Sequence, residues 1–257
     1  VIDPTDRGFT LADGLFETVL SEGGAFAHLD LHLARLAQGC AVLGLPAPGA
    51  GEVERRMEEA LRAAGLAHAR AAVRVSWSAG SGGRGLDRPE TLSPTLAVTA
   101  APAPIPSAPA RLATAQVRRN DGSPASRLKT LAYLDNVLAR REARARGCDE
   151  AVMLNTRGEV ACAAAANLFW IRGERLFTPA LGCGVLPGIV RGRLIAAAAE
   201  LGIAVEEAAF GPADLAAAEA IFLTNSLIGL RPVAELDGKI VGDSRLVDLL
   251  LGALGIS

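Results

Sequence analysis

Four prolines fall within the ten residues 101–110, at positions 102, 104, 106 and 109. Each lacks a backbone N–H and fixes φ, so this run makes neither a helix nor an inner strand. It reads as a semi-rigid connector and divides the chain into an N-terminal α/β domain over 1–100 and a C-terminal domain over 111–257. A chain of 257 residues, half of them apolar, supports one large core or two modest ones.

Hydrophobic periodicity fills in both parts. Leu33, Leu36, Ala37, Val42 and Leu43 keep a helical spacing from Asp30, and Gly44 and Pro46 close it. A second helix is predicted over 52–64, with Gly65 as its stop. Alternation over 71–77 predicts a strand, and 95–100 another. Beyond the connector the pattern predicts strands at 112–117, 151–154, 167–172, 220–224 and 233–235. Helices are expected over 134–146 and 188–201, and a hairpin turn at Asp237-Gly238. The expected class is an α+β enzyme of two domains.

A net charge of −2 and a pI near 6.0 give no basic field for nucleic acid or an acidic membrane surface. Apolar runs such as 194–199 are far too short to span a bilayer. Cys40, Cys148, Cys162 and Cys183 include no CxxC pair, so neither a zinc knuckle nor a disulfide framework is expected. A reducing cytoplasm is the predicted compartment. His28 and His32 stand at i,i+4, a metal-ligand spacing, yet no carboxylate or thiol cluster completes a site and no metal is expected.

Only two of the 26 basic residues are lysines, Lys129 and Lys239. Arginine cannot deprotonate to act as an amine nucleophile, so the search for one is short. Lys129 lies between Leu128 and Leu131, where a strand is expected to pass into a helix. Partial desolvation there would favour the neutral, nucleophilic amine; a snorkelling surface lysine fits these residues equally well. Lys239 follows the Asp-Gly turn and reads as solvated. The loop Ser81-Gly82-Gly83-Arg84-Gly85 can wrap its backbone around a small anion, or it is an ordinary mobile loop with a solvated arginine.

The order of several short motifs resembles the class IV aminotransferase family of fold-type IV pyridoxal-phosphate enzymes. They are Asp6-Arg7-Gly8-Phe9, Asp13-Gly14-Leu15-Phe16-Glu17 and His32-Leu33-Ala34-Arg35-Leu36. Lys129 with Asn136-Val137-Leu138, then Asn167-Leu168-Phe169, Pro187-Gly188-Ile189-Val190-Arg191 and Thr224-Asn225-Ser226 continue the series. That family includes branched-chain and D-amino-acid transaminases and 4-amino-4-deoxychorismate lyase. The resemblance implies a D-amino-acid-transaminase-like fold of two domains, a pyridoxal 5'-phosphate cofactor, a small amino substrate and a homodimer.

Carried over by position, Lys129 resembles the Schiff-base lysine and Arg35 the phosphate-binding arginine. Ile189 and Val190 match backbone donors at a helix N-terminus that hold the same phosphate, and Ser226 matches a hydroxyl completing that cup. Tyr133, the one tyrosine, matches a residue that reaches the cofactor's phenolic oxygen, or is a core aromatic. Phe16, Arg84 and Asn225 fall at substrate-facing positions. One departure stands out: the family usually places a glutamate five residues before Asn-Leu-Phe, opposite the pyridine nitrogen. Here that position is Cys162, and Glu159 lies on the other face of an extended strand. A neutral thiol is no counter-ion, so a weaker electron sink is expected. The loop around Arg84 resembles that of aminodeoxychorismate lyases, making a lyase the first expectation and an aminotransferase acting on D-amino acids, branched-chain acids or (R)-amines the second. A non-catalytic α/β binding protein is the third.

Overall fold

The computed structural model describes residues 2–255. The chain gathers into two units. One comprises residues up to Ile105 together with Leu128–Ala132, the other Pro106–Arg127 and the chain from Tyr133 onward. The segment carrying Lys129 is therefore returned to the first unit, although its chain neighbours on both sides belong to the second.

In the first unit α1 (Arg7–Leu11) leads into β1 (Gly14–Glu22). Then follow β2 (Ala25–Phe26), α2 (Leu29–Leu43), α3 (Ala50–Ala63), β3 (Ala71–Ser78) and β4 (Thr95–Pro102). The strands form an antiparallel sheet in the order β2-β1-β3-β4. On α3, Val53, Met57 and Leu61 recur every four residues and are buried. Arg55 pairs with Glu59 and Arg62 with Glu58 on its wet side. β3 alternates, burying Ala71, Val73, Val75 and Trp77 while Arg74 points out. These side chains join Leu15, Val19, Leu36 and Cys40 in one core. β4 runs two residues further than predicted and ends on Pro102, which an edge strand tolerates.

The second unit contains β5 (Ala110–Thr114), α4 (Leu134–Ala145), β6 (Glu150–Leu154), β7 (Val160–Ala163), β8 (Asn167–Arg172) and β9 (Arg175–Pro179). After these come α5 (Ile189–Glu200), β10 (Ala204–Ala208), α6 (Pro212–Ala216), β11 (Ala220–Asn225), β12 (Gly229–Leu236), β13 (Lys239–Ile240) and α7 (Arg245–Leu254). The sheet order is β10-β9-β8-β11-β12-β5-β6-β7, with β13 paired to β12. Leu194 and Leu250, from α5 and α7, pack with Phe169, Ile171 and Phe222. Leu168, Trp170, Ile221 and Leu223 pack instead with Phe210 and Leu215. Covered on both faces, β6, β8 and β11 read as continuous apolar runs instead of alternating ones. Ala139 and Ala143 of α4 lie against Ala113, Ala151, Met153 and Cys162.

The strand predicted over 112–117 is Ala110–Thr114, and that over 233–235 is the longer Gly229–Leu236. The predicted hairpin turn is present, with φ of 49° at Asp237 and 80° at Gly238, the left-handed pair that such a turn requires.

Candidate active site

Lys129 is presented by a fragment of strand. The Phe16 N–H donates to the Lys129 carbonyl at 2.8 Å and the Leu131 N–H to the Gly14 carbonyl at 3.0 Å, flanking a bridge between Leu15 and Thr130. Residues 129–131 thus add to β1 as an extra edge through one bridge shortly before α4, where the sequence predicts a strand passing into a helix. Gly14 has to be glycine, since a Cβ there would lie 2.4 Å from the Trp77 carbonyl oxygen. Lys129 is half-buried, with Nζ 4.3 Å from the centroid of the Phe16 ring. Arg74 stacks on the same ring, its Cζ 3.7 Å from the centroid. Phe16 therefore orients two cations, an amine that can act as nucleophile and a guanidinium suited to a carboxylate or phosphate. Sequence reasoning missed Arg74; its outward place in alternating β3 was the available signal.

Arg35, on α2, is braced from below. Its Nε donates to Glu17 Oε1 at 2.8 Å and its terminal nitrogen to Glu17 Oε2 at 2.6 Å, a bidentate fork. His32, one helical turn earlier and fully buried, places Nδ1 2.7 Å from the same Oε2. Burial pushes the Glu17 carboxyl pKa up, but the hydrogen bonds from Arg35 and His32 outweigh it and hold it below the ordinary value. His32 is thus a partner of Glu17, and His28 caps α2 in a left-handed conformation with φ of 54°.

Arg84 is exposed, and its turn is held rigidly from outside. The buried Arg7 donates to the carbonyls of Leu86 at 2.9 Å, Asp87 at 3.1 Å and Gly85 at 3.3 Å, and also to Asp13. Arg88 bonds both oxygens of Asp13. Gly83, at φ of 81°, passes so close to the Asp87 carbonyl that a Cβ would lie 2.1 Å from it. The Asp6-Arg7-Gly8-Phe9 motif thereby has a mechanical role: Asp6 caps α1, and Arg7 clamps the loop that displays Arg84.

In the second unit, α5 opens at Gly188 with no side-chain cap. Its first helical bond runs from the Gly192 N–H to the Gly188 carbonyl, so the N–H groups of Ile189, Val190 and Arg191 have no intrahelical acceptor. Such a terminus is an anion site in both geometry and dipole. Asn167 fixes the approach: its amide donates to the Leu186 carbonyl at 3.0 Å, and a Cβ on Gly188 would stand 2.0 Å from Asn167 Oδ1. Thr224 pairs with Asn167 across the ladder, which puts both side chains on one face. The Thr224 hydroxyl is buried with no hydrogen-bond partner among the described residues.

Asn225 is occupied internally. Its carbonyl accepts from the Leu227 and Ile228 N–H groups, and its amide donates to the Ala165 carbonyl. This closes a turn on which Ser226 stands half-buried. Tyr133, also half-buried, opens α4 through its backbone carbonyl.

Cys162, on β7, is buried beside α4. Burial raises its thiol pKa and nearby Glu150 adds to this, against an opposing pull from Arg119, so the group is a neutral thiol at pH 7. Arg119 is itself buried and spends its donors on Asn136, Gly184 and Ser126. Asn136 passes the link on to the Ala164 carbonyl at 2.8 Å, tying α4 to the loop after Cys162. Glu159 is held at the β6–β7 hairpin by Arg157 and Asn155. Neither Arg119 nor the Glu17 brace was visible in the sequence, because each joins residues far apart in the chain.

Residues 14–236 match the family model for amino-transferase class IV. The aminodeoxychorismate lyase of Bacillus subtilis is 29% identical over 244 residues, covering 92% of this chain and 82% of that protein. The crystal structure of 4-amino-4-deoxychorismate lyase from Pseudomonas aeruginosa superposes with a TM-score of 0.88 at 29% identity, over 99% of this chain and 94% of that one. The branched-chain aminotransferase of Thermoproteus uzoniensis gives 0.89 at 26% identity, over 99% and 88%. The chain belongs to the amino-transferase class IV family.

Proposed function

We propose that the chain is a pyridoxal 5'-phosphate-dependent lyase that converts 4-amino-4-deoxychorismate into 4-aminobenzoate and pyruvate. The residues present fit the cofactor. A half-buried primary amine beside an aromatic ring suits its carbonyl, and uncapped N–H groups with a buried hydroxyl that has no partner among the described residues suit its phosphate. In this reading Lys129 would hold the cofactor through its carbonyl. Ile189, Val190, Ser226 and Arg35 would hold the phosphate, and Tyr133 would hydrogen-bond the cofactor's ring hydroxyl. When bound, the cofactor supplies a ring that draws electrons from the substrate's amine-bearing carbon.

The protein's own groups then do the following. Lys129 would take the proton from the carbon bearing the substrate's amine. The electron pair left there expels the neighbouring ether oxygen with its enolpyruvyl group, which becomes pyruvate on protonation, and the ring becomes aromatic. Arg84 and Arg74 are the guanidinium groups that would meet the substrate's carboxylates. Phe16 keeps Lys129 and Arg74 in place.

The observation that carries this choice is Cys162. A buried neutral thiol at the position where the family usually has a carboxylate gives a weak electron sink. Elimination driven by aromatisation tolerates that better than transamination, which must reprotonate a longer-lived carbanion. Aminotransfer is the second reading, favoured by the likeness to branched-chain aminotransferases. Four buried, unpaired thiols support a cytoplasmic location, and the exposed Leu134, Val137 and Leu138 on α4 support a homodimer. Among the described residues no helix is long and apolar enough to cross a membrane.

The test is a paired assay of the purified protein, with aminodeoxychorismate and with D-alanine or leucine plus a keto acid. Fast release of 4-aminobenzoate with slow amino transfer is expected; sustained transamination without lyase turnover would overturn the choice. Lys129→Ala should abolish the visible absorbance of the lysine-bound cofactor and the activity, whereas Lys239→Ala should keep both.

A further inference from the structure

The second lysine has no part in this chemistry, and it lines a different cavity. Within the second unit a space of about 170 Å³ is lined by β6, β7, α6 and β11, with Val152, Val160, Leu215 and Ile221 among its walls. A dry cavity of about 150 Å³ is enough to hold benzene, so a single ring fits the space. The β12–β13 hairpin brings Asp237, Lys239 and Ile240 to the same space; all three are exposed.

The polar groups at this opening are unequal. Asp237 is fully used: it accepts from the Thr114 N–H at 2.8 Å, the Thr114 hydroxyl at 2.6 Å and Arg146 at 2.9 Å. Arg146 offsets its charge. Lys239 forms no ion pair or side-chain hydrogen bond among the described residues. An apolar chamber with one unspent cation at its opening matches a ligand with a compact apolar body and a single anionic end.

We propose that this cavity is a second binding site, separate from the candidate active site, for a small apolar monocarboxylate. A single ring or short branched chain occupies the chamber and the carboxylate meets the Lys239 ammonium. The proposal does not depend on which reaction the enzyme performs, since it rests on the chamber and the lysine alone.

The test uses the intact protein with two isosteric probes, benzoate and neutral benzamide, followed by the methyl NMR signals of Val241 and Ile240. Benzoate is expected to shift these signals with a Kd on the order of 1 mM, reasonable for nine heavy atoms at modest efficiency. It should bind about fivefold more tightly than benzamide, the upper range for an exposed ion pair. Lys239→Met, a surface change, should erase that preference without weakening benzamide. Ala216→Phe, which fills the chamber, should remove both probes from these signals. Equal binding of the two probes, a preference surviving Lys239→Met, or benzoate shifts confined to residues around Lys129 would each overturn the proposal.

Discussion

Replacing Glu17 with glutamine tests whether Arg35 is positioned from below. The carboxylate accepts three hydrogen bonds, two from Arg35 and one from His32, and it is buried. Glutamine keeps one good acceptor for Arg35 but turns an N–H group toward either Arg35 or His32, both of which donate. The loss is then about one charge-assisted hydrogen bond, roughly 1.5–3 kcal/mol. Leaving Arg35 without its counter-charge adds to it, although Arg35 retains some solvent contact, which keeps the total below the roughly 3–5 kcal/mol of a fully buried broken pair. A destabilisation of about 2–4 kcal/mol is expected, read as a lower urea midpoint at pH 7. Because the guanidinium is no longer held, cofactor retention should also fall, measured by equilibrium dialysis. Glu17→Asp, one methylene shorter but still charged, should recover part of both.

Acid provides an independent check. The folded Glu17 carboxyl titrates below its ordinary value of 4.5. Its contribution is therefore full above that value and is lost as the pH falls through the lower, folded one. The stability gap between wild type and Glu17→Gln should narrow on acidification and stay constant from about pH 6 upward. A gap smaller than about 1 kcal/mol at pH 7, or one that is indifferent to acid, would refute the brace, since a buried charged hydrogen bond is worth more.

Gly188→Ala should destabilise the fold by about 1–3 kcal/mol of overpacking, read as a lower urea midpoint, and weaken cofactor retention; unchanged values would mean that Asn167 yields. A thiol reagent should find no reactive cysteine in the native protein and four after unfolding. Burial holds the Cys40 pKa near 11 against an ordinary 9.0, so its contribution is complete below pH 9 and is lost as the pH rises toward 11. Cys40→Ala should flatten that alkaline decline; an identical slope would refute it. Cys162→Glu should raise the rate of the amino-transfer half-reaction relative to lyase turnover, and an unaltered ratio would show that the residue does not face the pyridine nitrogen.

Elements with a strong period were legible in the sequence. β3, α2, α3, α4, β8 and α5 lie within a residue or two of expectation, because each buries one stripe or one continuous run. β10 escaped notice because Ala204–Ala208 is a half-exposed edge strand rich in alanine and glutamate, residues with little strand preference. α7 carried a readable signal, since Ser244 caps it by accepting from the Leu246 N–H. Lys129 was singled out by its rarity and motif order, yet the geometry that displays it was not legible: a single bridge to β1 leaves no periodic trace. The same holds for Arg7, whose loop-clamping role depends on carbonyls nearly eighty residues away.

Cys162 connects these local observations to the choice of reaction. Its neighbours in the core are small, Ala113, Ala139, Ala143 and Ala151 among them, and they provide no charged group to take over a counter-ion's work. Glu150 is the nearest candidate, and burial raises its own pKa while Arg140 and the Ala151 N–H occupy its oxygens. A proton on the cofactor's ring nitrogen would thus have no dedicated carboxylate partner, and a carbanion next to the substrate amine would be poorly spread into the ring. A reaction that consumes that electron pair at once, by expelling a leaving group and forming an aromatic product, needs the least from such a site. In the proposed reading, the burial of the thiol among small apolar side chains and the engagement of Glu150 by Arg140 and the Ala151 N–H, more than the identity of residue 162 as cysteine, favour elimination.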